Sequence, residues 1–160
     1  MTDTSVVLNL CLRHREELLA ALYREVLAPD EVRAEFQRLA ATDPPFRGLC
    51  FSHVVTVASP IAIPGSLRSN PALDAGEIAA LALALERGIR DVLIDERAGR
   101  AVARSLGLTP SGLLGILIEA KRRNLLGQIR PLLDDLEQGA RFRIDSGLRR
   151  QILRLAGESP

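Results

Sequence analysis

The sequence predicts an α/β fold, a three-layer α/β/α sandwich around a mainly parallel sheet. Short apolar runs such as residues 92–94 alternate with longer helical patterns, as in parallel sheets whose strands are buried on both faces. Alanine and leucine dominate a hydrophobic share of 47%, whereas aromatic residues make up only 3%. That composition favours helices packed closely on a sheet. With 160 residues, the chain is expected to form a single domain over residues 1–160.

The first elements follow from caps and apolar faces. Asp3 or Thr4 is expected to cap a first helix, because either side chain precedes an apolar stretch. Residues 13–26 are predicted to be helical, with an apolar face formed by Leu18, Ala21, Leu22 and Tyr23. Residues 25–28 fit a short strand. Pro29 then suits the first turn of a further helix over residues 30–41.

The helix over residues 30–41 carries one acid of interest. Its apolar stripe consists of Val32, Phe36, Leu39 and Ala40. Helical spacing puts Glu35 beside Leu39 at the edge of that stripe, where the carboxylate would be partly desolvated. The alternative is a glutamate paired with Arg38 or another arginine.

Two loops and a strand are expected next. Residues 42–49 include Pro44-Pro45 and are predicted to be a loop, whereas residues 51–58 contain the strand pattern VVTV. Residues 60–71 are rich in proline, glycine and serine and are predicted to be an unstructured connection. The following segment, Asp74-Ala-Gly-Glu77, matches a capping box, which could explain both of its acids without any metal.

A helix, a strand and a second helix over residues 73–108 organise the chain. Glu77 opens an almost wholly apolar helix that Gly88 ends, and Asp95 lies where the strand at residues 92–94 stops. Ligands bind at the carboxyl ends of strands in open parallel sheets. Two carboxylates converging there would suit a hard cation.

Basic residues share one side of the helix after Asp95. Arg97, Arg100 and Arg104 recur at spacings of three and four residues. The remaining elements are expected in this order: a turn at 109–112, an apolar helix over 113–123, a short helix through Glu137, an edge strand at 141–144 and an amphipathic helix over 146–155.

Charge and cysteine usage narrow the function classes. The formal net charge is +1, from 21 basic and 20 acidic residues, so a case for nucleic acid must rest on local patches. Cys11 and Cys50 lie in no CxxC motif and are expected to be reduced and buried, as in a cytoplasmic protein. The sequence has no basic-then-apolar leader and no long uncharged run, so neither secretion nor membrane spanning is expected.

The order of four acids along the chain is informative. Asp3 lies near a strand, Glu35 is helical, Glu77 opens a helix and Asp95 ends a strand. In this order the chain resembles PIN-domain proteins. The resemblance spans essentially the whole chain and rests on LDAGE, ALALERG, LIDERAGR and SGLLGILIEAKRRNLL, with DTSVVLNL and VLAPDEVRAEF nearer the start. The chain is similar to the subgroup whose third acid is a glutamate in a Gly-Glu pair, where other PIN proteins have aspartate.

The resemblance implies a metal-dependent ribonuclease of the kind that often serves as the toxin of a toxin–antitoxin pair. It implies that Asp3 and Asp95 bind Mg²⁺ or Mn²⁺ directly, with Glu77 direct or through water. Glu35 would bind a second ion or orient the attacking water. Crowded carboxylates raise one another's pKa unless a cation offsets their charge, and a bound ion lowers the pKa of its water.

Further residues are assigned by the same resemblance. Ser5 is the hydroxyl beside the first acid and Asp74 a helper. From their position one turn beyond Asp95, Arg97 and Arg100 are expected to hold the RNA backbone. In the family several apolar residues precede the first acid. Here only Met1 and Thr2 do, so the apolar residues at 6–10 could supply part of the first strand.

Partners are expected on the early helices. An exposed apolar surface that includes Leu18, Leu22 and Leu39 would favour a homodimer, as is common in the family. An antitoxin would pack in a groove of the helices at residues 13–40 and present a basic side chain to the acids.

Three other interpretations remain open. The chain could be a catalytically degenerate PIN-like module that binds nucleic acid or a protein partner without cutting. It could be a phospho-accepting α/β domain of receiver or haloacid-dehalogenase type, although Asp3-Thr4-Ser5 lacks the second aspartate of the Asp-x-Asp motif that the latter requires. It could also be a structural α/β domain whose acids are helix caps. In that case Asp3 and Asp95 should lie far apart.

Overall fold

The computed structural model of the protein describes residues 1–139, 142 and 144–159. The chain divides into two units, Met1–Leu113 and Leu114–Pro160. The strands are β1 (Val26–Ala28), β2 (Val55–Val57), β3 (Asp91–Leu93) and β4 (Thr109–Ser111). The helices are α1 (Thr4–Leu12), α2 (Glu17–Leu22), α3 (Asp30–Thr42), α4 (Gly65–Arg68), α5 (Ala75–Arg87), α6 (Arg97–Ser105), α7 (Leu113–Arg122), α8 (Arg130–Gly139) and α9 (Ser146–Leu155), with a 3₁₀ turn at Pro44–Phe46.

Short parallel strands form the centre of the first unit. β1 pairs with β2, Val26 lying opposite Val55, and β3 pairs with β4, both in parallel. Thr2 connects the two pairs: its backbone N–H donates to the carbonyl of Leu27 at 2.9 Å, and the residue forms a parallel bridge with Leu93. The predicted α/β class with its parallel strands is confirmed. Because parallel strands end at the same edge, residues 3 and 95 are brought to one edge of the sheet.

The middle of helix α5 is fully buried in the first unit. Its residues 79–84, all alanine or leucine, are at most 2% exposed, as expected of a helix that is apolar on every side. Gly88 ends the helix in the left-handed conformation with φ 64°, and the N–H of Ile89 returns to the carbonyl of Ala84 at 2.9 Å. The predicted start at Asp74 and stop at Gly88 are both confirmed.

Several expectations for the first unit were wrong. Residues 6–10 lie in α1 and supply no strand, because Asp3 caps that helix immediately before them. Residues 13–26 do not form one helix, since α2 covers only Glu17–Leu22 and Val26 already belongs to β1. Leu18 and Leu22 are 3% and 9% exposed, so their apolar face is covered by the chain itself. The stretch at 60–71 is not wholly unstructured, because it contains α4.

The predicted turn at 109–112 is in fact strand β4 for most of its length. The N–H of Thr109 donates to the carbonyl of Arg90, and the N–H of Ile94 donates to the carbonyl of Ser111, each at 2.8 Å. Pro110 is compatible with this strand because, in the part of the chain described, β4 pairs only with β3. The missing N–H of a proline is tolerated on such an edge.

The second unit is helical in the residues described. The carboxylate of Glu158 accepts the backbone N–H groups of Ile129 at 2.7 Å and Arg130 at 3.1 Å, at the start of α8. On α9, Arg149 forms ion pairs with Asp134 and Glu137 of α8. The helices predicted through Glu137 and over 146–155 are confirmed. Residues 141 and 143 of the edge strand predicted at 141–144 lie outside the described residues, and residues 142 and 144 are not in a strand.

Membrane-spanning segments were searched for in the same described residues. None of the helices there has the length and apolar character needed to cross a bilayer.

Candidate active site

Asp3 links the start of the chain to the end of β3. Its Oδ1 accepts the N–H of Val6 at 2.9 Å and so caps α1. Its Oδ2 accepts the backbone N–H of Asp95 at 3.0 Å across 92 residues of sequence. The side chain is buried, with the residue 4% exposed. Asp3 therefore caps a helix, as its spacing predicted, and also lies directly beside Asp95.

Asp95 accepts hydrogen bonds through both its side chain and its backbone carbonyl. Its Oδ1 accepts the N–H of Leu113, the first residue of α7, at 2.8 Å, while its carbonyl oxygen accepts a hydrogen bond from Nη1 of Arg100. Its Oδ2 is buried and has no hydrogen-bond partner. One carboxylate oxygen is thus fixed by the protein and the other is left without a partner.

Glu77 shows the same division between a used and an unused oxygen. Its Oε2 accepts the N–H of Asp74 at 3.1 Å, and Oδ1 of Asp74 accepts the N–H of Glu77 at 2.7 Å, so the predicted capping box is present. The residue is 2% exposed, and its Oε1 is buried without a partner. The capping box therefore accounts for one oxygen of Glu77 and leaves the burial of the other unexplained.

Glu35 is held from two sides. The hydroxyl of Thr4 donates to its Oε2 at 2.8 Å, and Nη2 of Arg38 lies 3.7 Å from its Oε1. The predicted pairing with Arg38 is therefore present, and the side chain is 35% exposed. The hydroxyl next to the first acid that contacts Glu35 belongs to Thr4. For Ser5, the recorded contact is its carbonyl oxygen, which accepts from the side chain of Asn9.

Burial makes the central acids hard to ionise. Loss of water raises the pKa of Asp3 to about 8, assisted by the negative charge of Asp95 and opposed by the N–H groups of Val6 and Asp95. Burial also raises the pKa of Glu77 to about 7. The pKa of Asp95 is raised by burial too, although the N–H of Leu113 and the charge of Arg100 oppose the shift. A cation would offset the charge that these carboxylates would otherwise carry unpaired.

The arginines of α6 lie at different depths. Arg97 and Arg104 are exposed, whereas Arg100 is half-buried and bonded to the carbonyl of Asp95. The structure thus places Arg100 next to an acid and Arg97 on the surface of the first helical turn after it.

Sequence reasoning missed three residues that border the acids. Thr4 contacts Glu35 from 31 positions away. Gly99 and Gly112 are the other two, because a Cβ added to them would lie 2.1 Å from Oε1 of Glu77 and 2.5 Å from Oδ1 of Asp95. Only a close approach in space reveals these contacts. The Gly-Glu pair and the Asp-Thr-Ser run in the sequence do not predict these contacts.

The donor set fits a divalent cation in kind. Carboxylate oxygens are the ligands that Mg²⁺ and Mn²⁺ prefer, and Glu77 Oε1 and Asp95 Oδ2 are buried acceptors that no donor satisfies. Among the residues described, however, no three histidine, cysteine or acidic side chains are already gathered into a group that could hold a metal ion.

Comparison with known proteins identifies the family. No curated protein and no solved structure matches the chain. A family model described as PIN domain, DUF3368, matches residues 1–158, which is nearly the whole chain. PIN domains are generally nucleases and hence hydrolases that act on nucleic acids with the help of divalent metal ions. The chain belongs to the PIN-domain family.

Proposed function

We propose that the protein is a metal-dependent endoribonuclease that hydrolyses RNA phosphodiester bonds and acts in the cytoplasm as the toxin of a toxin–antitoxin pair. The hydrogen bond from the backbone of Asp95 to the carboxylate of Asp3 carries the proposal, because it brings acids 92 positions apart to one strand edge. Capping of α1 by Asp3 does not require a contact between Asp3 and Asp95. We further propose that residues 1–160 act as one PIN-like domain.

Each acid has its own part in the proposed site. Asp3, Glu77 and Asp95 would hold Mg²⁺ or Mn²⁺. The chemistry that such an ion supplies is Lewis acidity and a lowered pKa of its bound water. Glu35 would orient the attacking water with the carboxylate that Thr4 holds in place, and Asp74 supports Glu77 through the capping box. Ser5 stays a proposed supporting hydroxyl beside Asp3.

A second candidate function is a PIN-like module that binds RNA or a protein partner without cutting. The observation in its favour is that no metal-binding group of three side chains is preassembled in the described residues. Two measurements distinguish the nuclease from the non-cutting module. Isothermal titration calorimetry of the purified protein measures Mn²⁺ binding, and a cleavage assay measures RNA hydrolysis. Metal binding with cleavage supports the nuclease, and RNA binding without cleavage supports the module.

Replacing Arg97 with alanine is expected to weaken RNA binding. Arg97 is exposed as the first residue of α6, two residues beyond Asp95, where its guanidinium can contact a phosphate. The slope of log affinity against log salt is negative, and loss of one phosphate contact should reduce its magnitude by about 0.7 for single-stranded RNA. Fluorescence anisotropy with labelled RNA in the non-cleaving Asp95→Asn background measures this slope.

The matched control for that prediction is Arg104→Ala. Arg104 is exposed near the other end of the same helix and should leave the salt slope unchanged. Equal losses for the two variants would show a diffuse effect of charge and would count against a phosphate contact at Arg97.

Expression of the protein alone is expected to inhibit bacterial growth. Co-expression with the product of a neighbouring small gene should restore growth. That antitoxin would place an arginine or lysine against the acids and satisfy Glu77 and Asp95 by charge-assisted hydrogen bonds. Growth curves of cells expressing wild type and Asp95→Asn, at matched protein levels, provide the test. Harmless expression of a folded, metal-binding wild-type chain would contradict the toxin proposal.

A homodimer remains our proposal for the assembly. The leucines that were predicted to form the dimer surface are mostly covered: Leu18 and Leu22 are buried, and Leu39 is half-exposed. The proposal now rests on the frequency of dimers in the family. Light scattering at micromolar concentration and physiological salt should report twice the chain mass. A single chain mass under those conditions would overturn it.

A further inference from the structure

Glu77 reaches into space that exists only because residue 99 has no side chain. Gly99 lies in the first turn of α6, and a Cβ built on it would be 2.1 Å from Oε1 and 2.9 Å from Cδ of Glu77. Real Cβ atoms essentially never approach another heavy atom so closely. The same Cβ would lie 2.8 Å from Cγ2 of Ile94, the residue before Asp95.

The oxygen directed at Gly99 is the one that the protein leaves unsatisfied. Oε2 of Glu77 accepts the N–H of Asp74, whereas Oε1 is buried with no partner. The missing side chain at position 99 therefore determines where the unpartnered oxygen of Glu77 can lie. Backbone geometry gives no reason for glycine here, since Gly99 lies in the first helical turn without a positive φ and glycine is a poor helix former.

The length of the glutamate side chain explains why glycine at position 99 accompanies glutamate at position 77. A glutamate at position 77 extends one carbon–carbon bond, about 1.5 Å, further than an aspartate would. Withdrawing the carboxylate by that length would bring its oxygen to an ordinary contact distance from a Cβ at position 99, while the 2.8 Å contact with Cγ2 of Ile94 would remain. A glutamate at position 77 and glycine at position 99 are thus matched in size.

We propose that Gly99 is a positioning residue for Glu77: a glutamate can serve as the third acid because Gly99 leaves room for its carboxylate. The proposal rests on the metal-dependent nuclease function proposed above for the role of that carboxylate. It predicts that Gly99→Ala and Glu77→Asp compensate each other, since one fills the space that the other vacates.

The experiment is a double-mutant cycle with two readouts, the thermal stability of the metal-free protein and Mn²⁺ affinity by calorimetry. Gly99→Ala alone should lower the melting temperature and weaken Mn²⁺ binding by about tenfold or more. In the Glu77→Asp background the same substitution should change Mn²⁺ affinity by less than about twofold and lower the melting temperature by clearly less than it does in the wild type, the remaining loss coming from the contact with Ile94.

Two glycine controls make the cycle specific. Gly65→Ala, where an added Cβ meets nothing within 4 Å, should leave both readouts unchanged. Gly112→Ala places a Cβ 2.5 Å from Oδ1 of Asp95, so it should be harmful, and Glu77→Asp should not rescue it. Rescue of Gly112→Ala as well would mean a general stabilisation by Glu77→Asp and would overturn the pairing.

The outcomes also separate this proposal from the proposed function. Loss of stability on Gly99→Ala that Glu77→Asp relieves supports the pairing even if the protein binds no Mn²⁺, in which case only the nuclease function fails. An equal loss of stability in both backgrounds would assign the clash to Ile94 and overturn the pairing, whatever the cleavage assay shows. Unchanged stability and Mn²⁺ affinity on Gly99→Ala would overturn it too.

Discussion

Asp95→Asn is expected to reduce metal-dependent RNA cleavage by at least about a hundredfold while the protein stays folded. The substitution keeps the Oδ1 acceptor, so the hydrogen bond from Leu113 at the start of α7 can persist. The buried Oδ2, which has no partner, becomes an amide nitrogen that repels a cation. If Asp95 served only as an anchor for α7, asparagine should work almost as well, because the two residues rank together as helix caps.

The measurement is cleavage of a labelled RNA with Mg²⁺ or Mn²⁺, with circular dichroism to verify the fold. Asp91→Asn is the matched control, since Asp91 is an exposed acid at the opposite end of the same strand. Identical purification of all variants guards against a contaminating nuclease. Equal metal-dependent cleavage by wild type and Asp95→Asn would remove Asp95 from the catalytic set. Absence of cleavage in both, with metal still bound, would favour the non-cutting module.

The metal-free protein is expected to lose stability as the pH rises from about 4 to about 8. The pKa of Asp3 is about 8 in the folded chain against a usual 3.8, and that of Glu77 is about 7 against 4.5. Between these values the two carboxyl groups hold protons in the folded state that they have released in the unfolded state, so they make the free energy of unfolding fall with pH. The amine of Met1, whose pKa burial lowers to about 6, opposes this fall above that pH and offsets only part of it. Because Asp3 is fully buried, the total loss should be of the order of several kcal/mol.

Chemical denaturation at a series of pH values measures this loss. Saturating Mg²⁺ should reduce it, because an ion that binds only the folded carboxylates stabilises the folded state. Asp3→Asn should flatten the pH dependence, since asparagine keeps an acceptor for the N–H of Val6 but does not titrate. A free energy of unfolding that is flat or rising between pH 5 and pH 8 would contradict the raised pKa of Asp3.

Local features of the fold could be predicted from the sequence. The Asp74–Glu77 capping box, the stop at Gly88 and the helix cap at Asp3 were all expected and are all present. Each depends on residues at most five positions apart, so the necessary information lies within about one and a half turns of helix. The family resemblance extended this to the parallel sheet, because motif order constrains which strands follow which helices.

Pairing between distant segments could not be predicted. Residues 109–112 contain proline and glycine and resemble a turn, yet most of them form β4 because β3 offers an unpaired edge. The apolar face of Leu18 and Leu22 was expected to await a partner, but the chain itself buries it. A periodic pattern shows that a face must be covered and does not show what covers it.

The candidate site divides in the same way. The acids at the ends of helices and strands could be identified from local sequence patterns, because strand and helix boundaries make carboxylates available as caps or ligands. Three contacts depend on the folded arrangement: Asp95 donates its N–H to Asp3, Thr4 contacts Glu35, and Gly99 leaves room for Glu77. These contacts join residues 22 to 92 positions apart. They depend on how closely two backbones approach in the packed core, a distance that no spacing along the chain encodes.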